Sequence, residues 1–223
     1  MSQDGRRRIV AVWDLPVRLF HWLAVALVLA AYVTARLNWM DWHARAGDAL
    51  LVALLFRLLW GVCGSETARF SSFLASPRAV ARYVAHFFRR ERDDQIGHNP
   101  AGGWMVVALL ALMLGQALSG LYVANDIADE GPLTEFVSAP TANLIEAAHD
   151  GFLWDALCAA IALHLVAIVV YGVIRRHNLL RPMITGSKLL PADARTPRLR
   201  GAVFAALLFA CSLAATAAIV HFL

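Results

Sequence analysis

The run GFLWDALCAAIALHLVAIVVYGVI, Gly151–Ile174, decides the architecture of this chain. Its 24 residues include one formal charge, Asp155. As a helix rising about 1.5 Å per residue it extends roughly 36 Å, enough to cross the roughly 30 Å hydrocarbon core of a bilayer. Four further runs share this character: Val17–Ala35, Ala46–Cys63, Gly103–Ala124 and Gly201–Leu223. Backbone N–H and C=O groups in lipid must pair within their own segment, so each run is expected to be a helix. The alternation of a membrane-barrel strand is absent. Composition agrees: of 223 residues 60% are hydrophobic and 16% charged, with a mean hydropathy of +0.59, whereas a soluble domain carries roughly 25% charged residues. The expected fold class is all-α and integral to the membrane, with five spanning helices.

Arg6, Arg7 and Arg8 precede the first run as they would in a signal peptide. The run is too long for one, no small-residue cleavage site follows, and Arg18 and His21 lie inside it, so it reads as the first mature helix. Cys63, Cys158 and Cys211 fall in apolar runs and read as packing residues. No Cys-x-x-Cys-His occurs, which excludes a covalently attached haem.

The 20 Lys and Arg residues are unevenly placed. Arg6–Arg8, the loop after the second run (Arg69, Arg78, Arg82, Arg89, Arg90, Arg92) and the loop after the fourth (Arg175, Arg176, Arg181, Lys188, Arg195, Arg198, Arg200) hold nearly all of them. Asn125–Asp150 holds none and carries Asp126, Asp129, Glu130, Glu135, Glu146 and Asp150. Under the positive-inside rule the N-terminus is cytoplasmic and the C-terminus periplasmic, in a bacterial inner membrane. Trp13, Trp60 and Trp104 are expected as anchors at the inner interface, Trp39 and Trp42 at the outer. Ser76-Pro77 predicts the start of an amphipathic helix over Arg78–Arg92, lying on the inner membrane surface. Arg181–Arg200 reads as a linker. The basic pI near 9.3 follows this inner-face bias and gives no reason to expect nucleic acid.

There are eight histidines. With alternating helix directions, His43 and His149 fall near the outer ends of the second and fourth helices, and His21 near the inner end of the first. His164 lies 15 residues beyond His149, about 22 Å deeper, level with His21. Histidine in a span is costly and needs a reason. A packed, hydrogen-bonded His is the ordinary one. Two pairs at matched depths, His43 with His149 and His21 with His164, are also the arrangement that two stacked bis-histidine haems require. No carboxylate or Cys joins these histidines in a compact set suited to another metal.

The run Trp13-Asp-Leu-Pro-Val-Arg-Leu-Phe-His-Trp22 resembles the first-helix motif of bacterial di-haem cytochromes b, the group of cytochrome b561 and the b-type cytochrome subunit of Ni,Fe-hydrogenases. His43-x-x-x-Gly47 with Phe56-Arg-Leu-Leu-Trp-Gly61 resembles the second helix, Gly97-His-Asn-Pro-Ala-Gly102 the approach to the third, and His149-Asp150 with His164 the fourth. The likeness covers about residues 10–185. It implies a four-helix transmembrane haem-binding bundle (1–180), followed by the linker (181–200) and an additional C-terminal transmembrane helix (201–223). It also implies two haem b, with His21, His43, His149 and His164 as iron ligands. Two departures fall on His149: the fourth-helix spacing is 15 where the family usually has 14, and Asp150 stands where Glu is usual. At 100° per residue, 14 leaves the rings about 40° apart and 15 about 60°. A frayed first turn near Gly151 or a π-bulge would absorb the difference.

Arg18 and Arg57 lie at the level of His21, where they would neutralise haem propionates or serve as ordinary inner anchors. Arg45 would do the same at the other level. Asp48 and Asp155 would relay quinol protons or pair with Arg45 or a backbone group. His98 reads as a turn residue or propionate contact, and His86, His177 and His221 as solvated. Gly47, Gly61, Gly115 and Gly120 permit close approach of a helix or a haem. The function expected is electron transfer between the quinone pool and a periplasmic redox partner, a c-type cytochrome or hydrogenase-like subunit. The acidic stretch Asn125–Asp150 offers the partner a docking face. The alternatives are a stand-alone superoxide:quinone oxidoreductase, also implied by the family, and a non-haem polytopic protein. An electron-transfer subunit is favoured over a stand-alone enzyme. A homodimer and the role of the fifth helix are left open.

Overall fold

The computed structural model describes residues 6–87, 94–123 and 131–220 in full and the backbone of 221 and 222. Five of its helices are long and apolar enough to cross a membrane. They are α1 (Leu15–Arg36), α2 (Met40–Cys63), α4 (Pro100–Gly120), α5 (the continuous run Ala139–Arg175) and α7 (Ala202–Phe222). Strand β1 (Arg7–Ala11) precedes α1, and α3 (Pro77–Ala85), α6 (Leu180–Thr185) and strand β2 (Ser187–Pro191) lie between the spanning helices. Of the apolar window of α2, 56% is buried, against 11–17% in the other four. The side chains those four leave exposed are large and apolar, Leu19, Leu29, Leu163, Val166 and Leu207 among them. A multi-pass membrane protein presents such surfaces to lipid.

Helix starts follow local chemistry. Asp14 Oδ1 accepts from the Val17 N–H at 2.8 Å, capping α1 with Pro16 in its first turn. The Ser76 hydroxyl accepts from the Ala79 N–H, with Pro77 opening α3 as the sequence predicts. Residues 88–92 of the expected surface helix lie outside the described residues. Asn99 Oδ1 accepts from the Gly102 N–H at 2.7 Å at the start of α4. α5 begins at Ala139, well before the expected Gly151, because Ser138 and Pro140 supply a helix start within the acidic stretch.

The chain divides into two compact units. One comprises Met1–Leu19, Leu59–Val107 and Ala162–Ala205. Here β1 pairs antiparallel with β2, Arg7 opposite Pro191 and Ala11 opposite Ser187. The Val12 and Trp13 N–H groups both donate to the Gly186 carbonyl, at 2.8 and 3.0 Å. Gly186 has φ +81°, and a Cβ there would lie 2.8 Å from the Trp13 carbonyl oxygen, so only glycine fits without strain. Arg8 donates to the Ala192 carbonyl at 3.1 Å and Thr196 Oγ1 at 2.9 Å. Glu66 pairs with Arg195 and accepts from the Arg198 N–H at 3.0 Å. The stretch 181–200, read as a linker, is thus held by a helix, a strand and side-chain bonds. Trp13 and Trp60 are buried, correcting their reading as interfacial anchors. Trp60 Nε1 donates to Asp14 Oδ2 at 2.9 Å, a pairing that takes its polar edge away from any interface. Trp104, Trp39 and Trp42 are exposed as an anchor requires.

The other unit comprises Phe20–Leu58, Ala108–Ile161 and Ala206–Leu223. Its core gathers Leu51, Leu121 and Leu133, with Leu55, Leu114, Ile219 and Val220 packed against them. Phe209 of α7 meets Phe56 of α2 edge-on at 6.1 Å, and Ser212 and Thr216 of α7 are buried. Tyr32 stacks on Trp154 at 5.3 Å.

Candidate functional site

In that second unit the structure brings His43 and His149 together. α2 begins at Met40, so His43 sits in its first turn. Its Nδ1 lies 2.9 Å from the Ala31 carbonyl oxygen of α1. A carbonyl only accepts, so Nδ1 carries the proton and the lone pair is on Nε2. His149 lies on a π-helical turn, Ala148–Leu153, at 8% exposure. Its Nδ1 is 2.9 Å from Ser119 Oγ, and that hydroxyl donates its single proton to the Gln116 carbonyl at 3.0 Å. Ser119 Oγ must therefore accept from His149 Nδ1–H, and this ring too keeps its lone pair on Nε2. Gln116 Nε2 donates to the His149 carbonyl at 3.0 Å.

The two ring centroids are 6.1 Å apart with planes at 86°. With Nδ1 of each ring engaged, both Nε2 lone pairs are left for a metal, the tautomers that two imidazole ligands to one iron would need. Ligating histidines are ordinarily fixed by a hydrogen bond from the other ring nitrogen, and both rings have one. Gly47 lies one turn beyond His43 on the same face of α2, and a Cβ there would meet nothing within 4 Å. Among the described residues no three His, Cys, Asp or Glu side chains converge on a metal-sized site.

The 15-residue spacing acquires a structural account. The π turn carrying His149 takes up one residue more than an α turn, the second of the two adjustments expected from the sequence. Gly120 approaches closely: a Cβ there would lie 3.2 Å from His149 Cε1.

The other proposed ligands divide between the units. His21 is half-buried in the second, its ring edge-on to Trp22 at 4.9 Å. His164 is half-buried in the first. Arg57 is 3% exposed within α2. Arg18 Nη1 donates to the Ile184 carbonyl at 2.6 Å, and its buried Nε has no hydrogen-bond partner among the described residues. The Arg45 guanidinium lies over Trp42 at 4.9 Å. His98 packs against Trp13 at 4.5 Å and Phe73 at 4.7 Å, after Gly97 at φ +88°, as a turn residue would. His86 Nδ1–H donates to the Arg82 carbonyl at 2.8 Å on the surface helix. The side chain of His221 lies outside the described residues, as do Asp126, Asp129 and Glu130 of the acidic stretch. Of the rest of that stretch, Glu135 sits on a one-turn helix and Glu146 and Asp150 on α5.

Sequence reading missed Ser119, Gln116, and the Ala31 carbonyl. None has a distinctive residue type in an apolar run. The Tyr83 and Tyr171 hydroxyls, 2.6 Å apart, were likewise unforeseen.

With this geometry in hand, comparison places the chain among known sequences. The family model described as prokaryotic cytochrome b561 matches residues 12–186. A probable Ni/Fe-hydrogenase B-type cytochrome subunit of Bradyrhizobium diazoefficiens is 25% identical over 218 aligned positions, covering 82% of this chain and 87% of the relative. One of the same description from Rhizobium leguminosarum bv. viciae is 24% identical over 216 positions, covering 82% and 90%. No solved structure matches.

Proposed function

Because the chain belongs to the prokaryotic cytochrome b561 family, we propose that it is a di-haem b-type cytochrome of the bacterial inner membrane, passing electrons between quinone and a redox partner on the periplasmic side. His43 and His149 hold one haem iron. The observation that carries this is their 6.1 Å separation with both Nδ1 groups engaged by acceptors. His21 and His164 are assigned the second haem on their matched depth in the sequence. Arg18 and Arg57 are assigned to propionate carboxylates, which guanidinium groups bind bidentately.

Haem held by two imidazoles carries one electron at a time and keeps no open position for oxygen. The chain's own residues hold that cofactor in place. The Ala31 carbonyl and Ser119 hydroxyl fix the tautomer and orientation of each ring. A periplasmic partner is supported by the cation-free stretch Asn125–Asp150 and by relatives named as subunits of Ni/Fe-hydrogenases. The loop charges support a cytoplasmic N-terminus and a periplasmic C-terminus.

The test is a reduced-minus-oxidised spectrum with a pyridine haemochrome count on the detergent-solubilised protein. Two haem b per chain are expected. His43→Ala and His149→Ala should each remove one, and the same one. A colourless protein made with haem supplied refutes the proposal. So does loss of different haems in the two variants.

A further inference from the structure

We infer that Gln116, Ser119 and Gly120 of α4 form a seat for His149: they are positioning residues that fix its tautomer, ring plane and backbone, and through them tune one haem. The inference rests on the haem reading of His43 and His149 and goes beyond it by assigning roles to three residues on a helix that supplies no ligand.

The three residues occur at i, i+3 and i+4, so they share one face of α4. Each meets a different part of His149. Gln116 Nε2 donates to its main-chain carbonyl at 3.0 Å, within the π turn. Ser119 Oγ accepts from Nδ1–H at 2.9 Å. Gly120 lets the ring lie against the helix, where a Cβ would come within 3.2 Å of Cε1. The seat is internally ordered: with its one proton committed to the Gln116 carbonyl, the Ser119 hydroxyl presents a lone pair to Nδ1–H. Ser119 and His149 are each 8% exposed, so water does not readily replace the hydroxyl. The π turn widens the helix where His149 departs from it, and a wider turn needs an external hold if the ring is to keep one orientation. The Gln116 amide supplies that hold.

An acceptor on Nδ1–H makes an imidazole a stronger donor to iron and favours the ferric state. Loss of the Ser119 acceptor should therefore raise one midpoint potential and leave the other unchanged. Wild type, Ser119→Ala, Ser119→Thr and Gly120→Ala would be compared by haem count, redox titration and electron paramagnetic resonance of the ferric low-spin signals. In Ser119→Ala one midpoint should rise and one low-spin signal should move, that of the haem lost in His149→Ala. Loss of that haem alone, with recovery in Ser119→Thr, also supports the seat. Ser119→Thr keeps the hydroxyl and should retain wild-type values. Gly120→Ala should disturb the same signal by pressing on Cε1, and it carries the test alone if Ser119→Ala does not assemble. Both signals unchanged in Ser119→Ala and Gly120→Ala overturns the seat, as does Ser119→Thr departing as far as Ser119→Ala. A colourless wild type is a different failure, that of the haem reading itself.

Discussion

Asp14 shows how a residue inside a haem-family motif does structural work. At 5% exposure it accepts from the Val17 N–H with one oxygen and from Trp60 Nε1 with the other, so one carboxylate caps α1 and ties it to the end of α2. Asp14→Ala leaves a buried indole N–H and a helix N–H without acceptors, at a cost of about 2–3 kcal/mol. Asp14→Asn keeps one acceptor and should lose roughly half of that. Thermal unfolding in detergent, followed by tryptophan fluorescence, checks both, and an unchanged midpoint in Asp14→Ala rules the tie out. The contrast with the histidines explains what was readable at this scale. His21 and His164 stand out because an imidazole in an apolar run is expensive and so carries information, and His43 and His149, just ahead of their runs, stand out by sharing a depth with each other. Ser119 and Gln116 carry little, since such residues are tolerated in membrane helices for many reasons. Their role depends on His149, 30 positions beyond Ser119. Trp60 misled for the same reason: its place near the inner end of an apolar run suggested an interface, while its partner Asp14 lies 46 positions away at the start of α1.

At the scale of single elements, the π turn is the feature that reconciles this chain with its family. It occupies Ala148–Leu153, between Glu146 and the regular helix that carries His164. If its purpose is to absorb one residue, deleting Gly151, whose added Cβ would meet nothing within 4 Å, returns the spacing to 14 and the turn to α geometry. Both haems should be retained, whereas an alanine inserted after Gly151 should lose the one held by His149. A haemochrome count distinguishes the two, and loss of a haem on deletion defeats the argument. The spans themselves were legible because hydrophobic runs of this length have few alternatives. The β1–β2 pair and the bonds on Glu66 were not, since both join segments more than a hundred residues apart. The Glu66 contacts also make a pH prediction. The Arg198 N–H, then Arg195, hold its carboxyl below the ordinary range. A depressed folded-state pKa adds stability above the unfolded pKa and loses it as pH falls through the folded value. Protease cleavage within 192–200 should therefore increase as pH drops below the ordinary carboxylate range, and Glu66→Gln should show that susceptibility at neutral pH.

For the molecule as a whole, the question is what the fifth spanning helix adds. The family match ends at residue 186 and all four proposed ligands precede it, so α7 lies outside the proposed haem set. It supplies cover. Phe209 meets Phe56, Phe204 meets Trp60, and Ile219 and Val220 pack on the Leu51 cluster, so α7 helps to bury α2, the helix with most of its surface inside. Between these apolar contacts the same helix buries Ser212 and Thr216, small residues of the kind that let membrane helices approach closely. A chain ending at Arg200 should insert, bind two haems and keep their spectra. It should release haem at a lower temperature, because lipid fits the uncovered face of α2 less closely than α7 does. Its C-terminus should move from the periplasm to the cytoplasm, read by a reporter fusion active on only one side. Loss of a haem at ordinary temperature would show that α7 shapes the site directly. A C-terminus on the same side in both chains would instead overturn the five-span topology drawn from the loop charges.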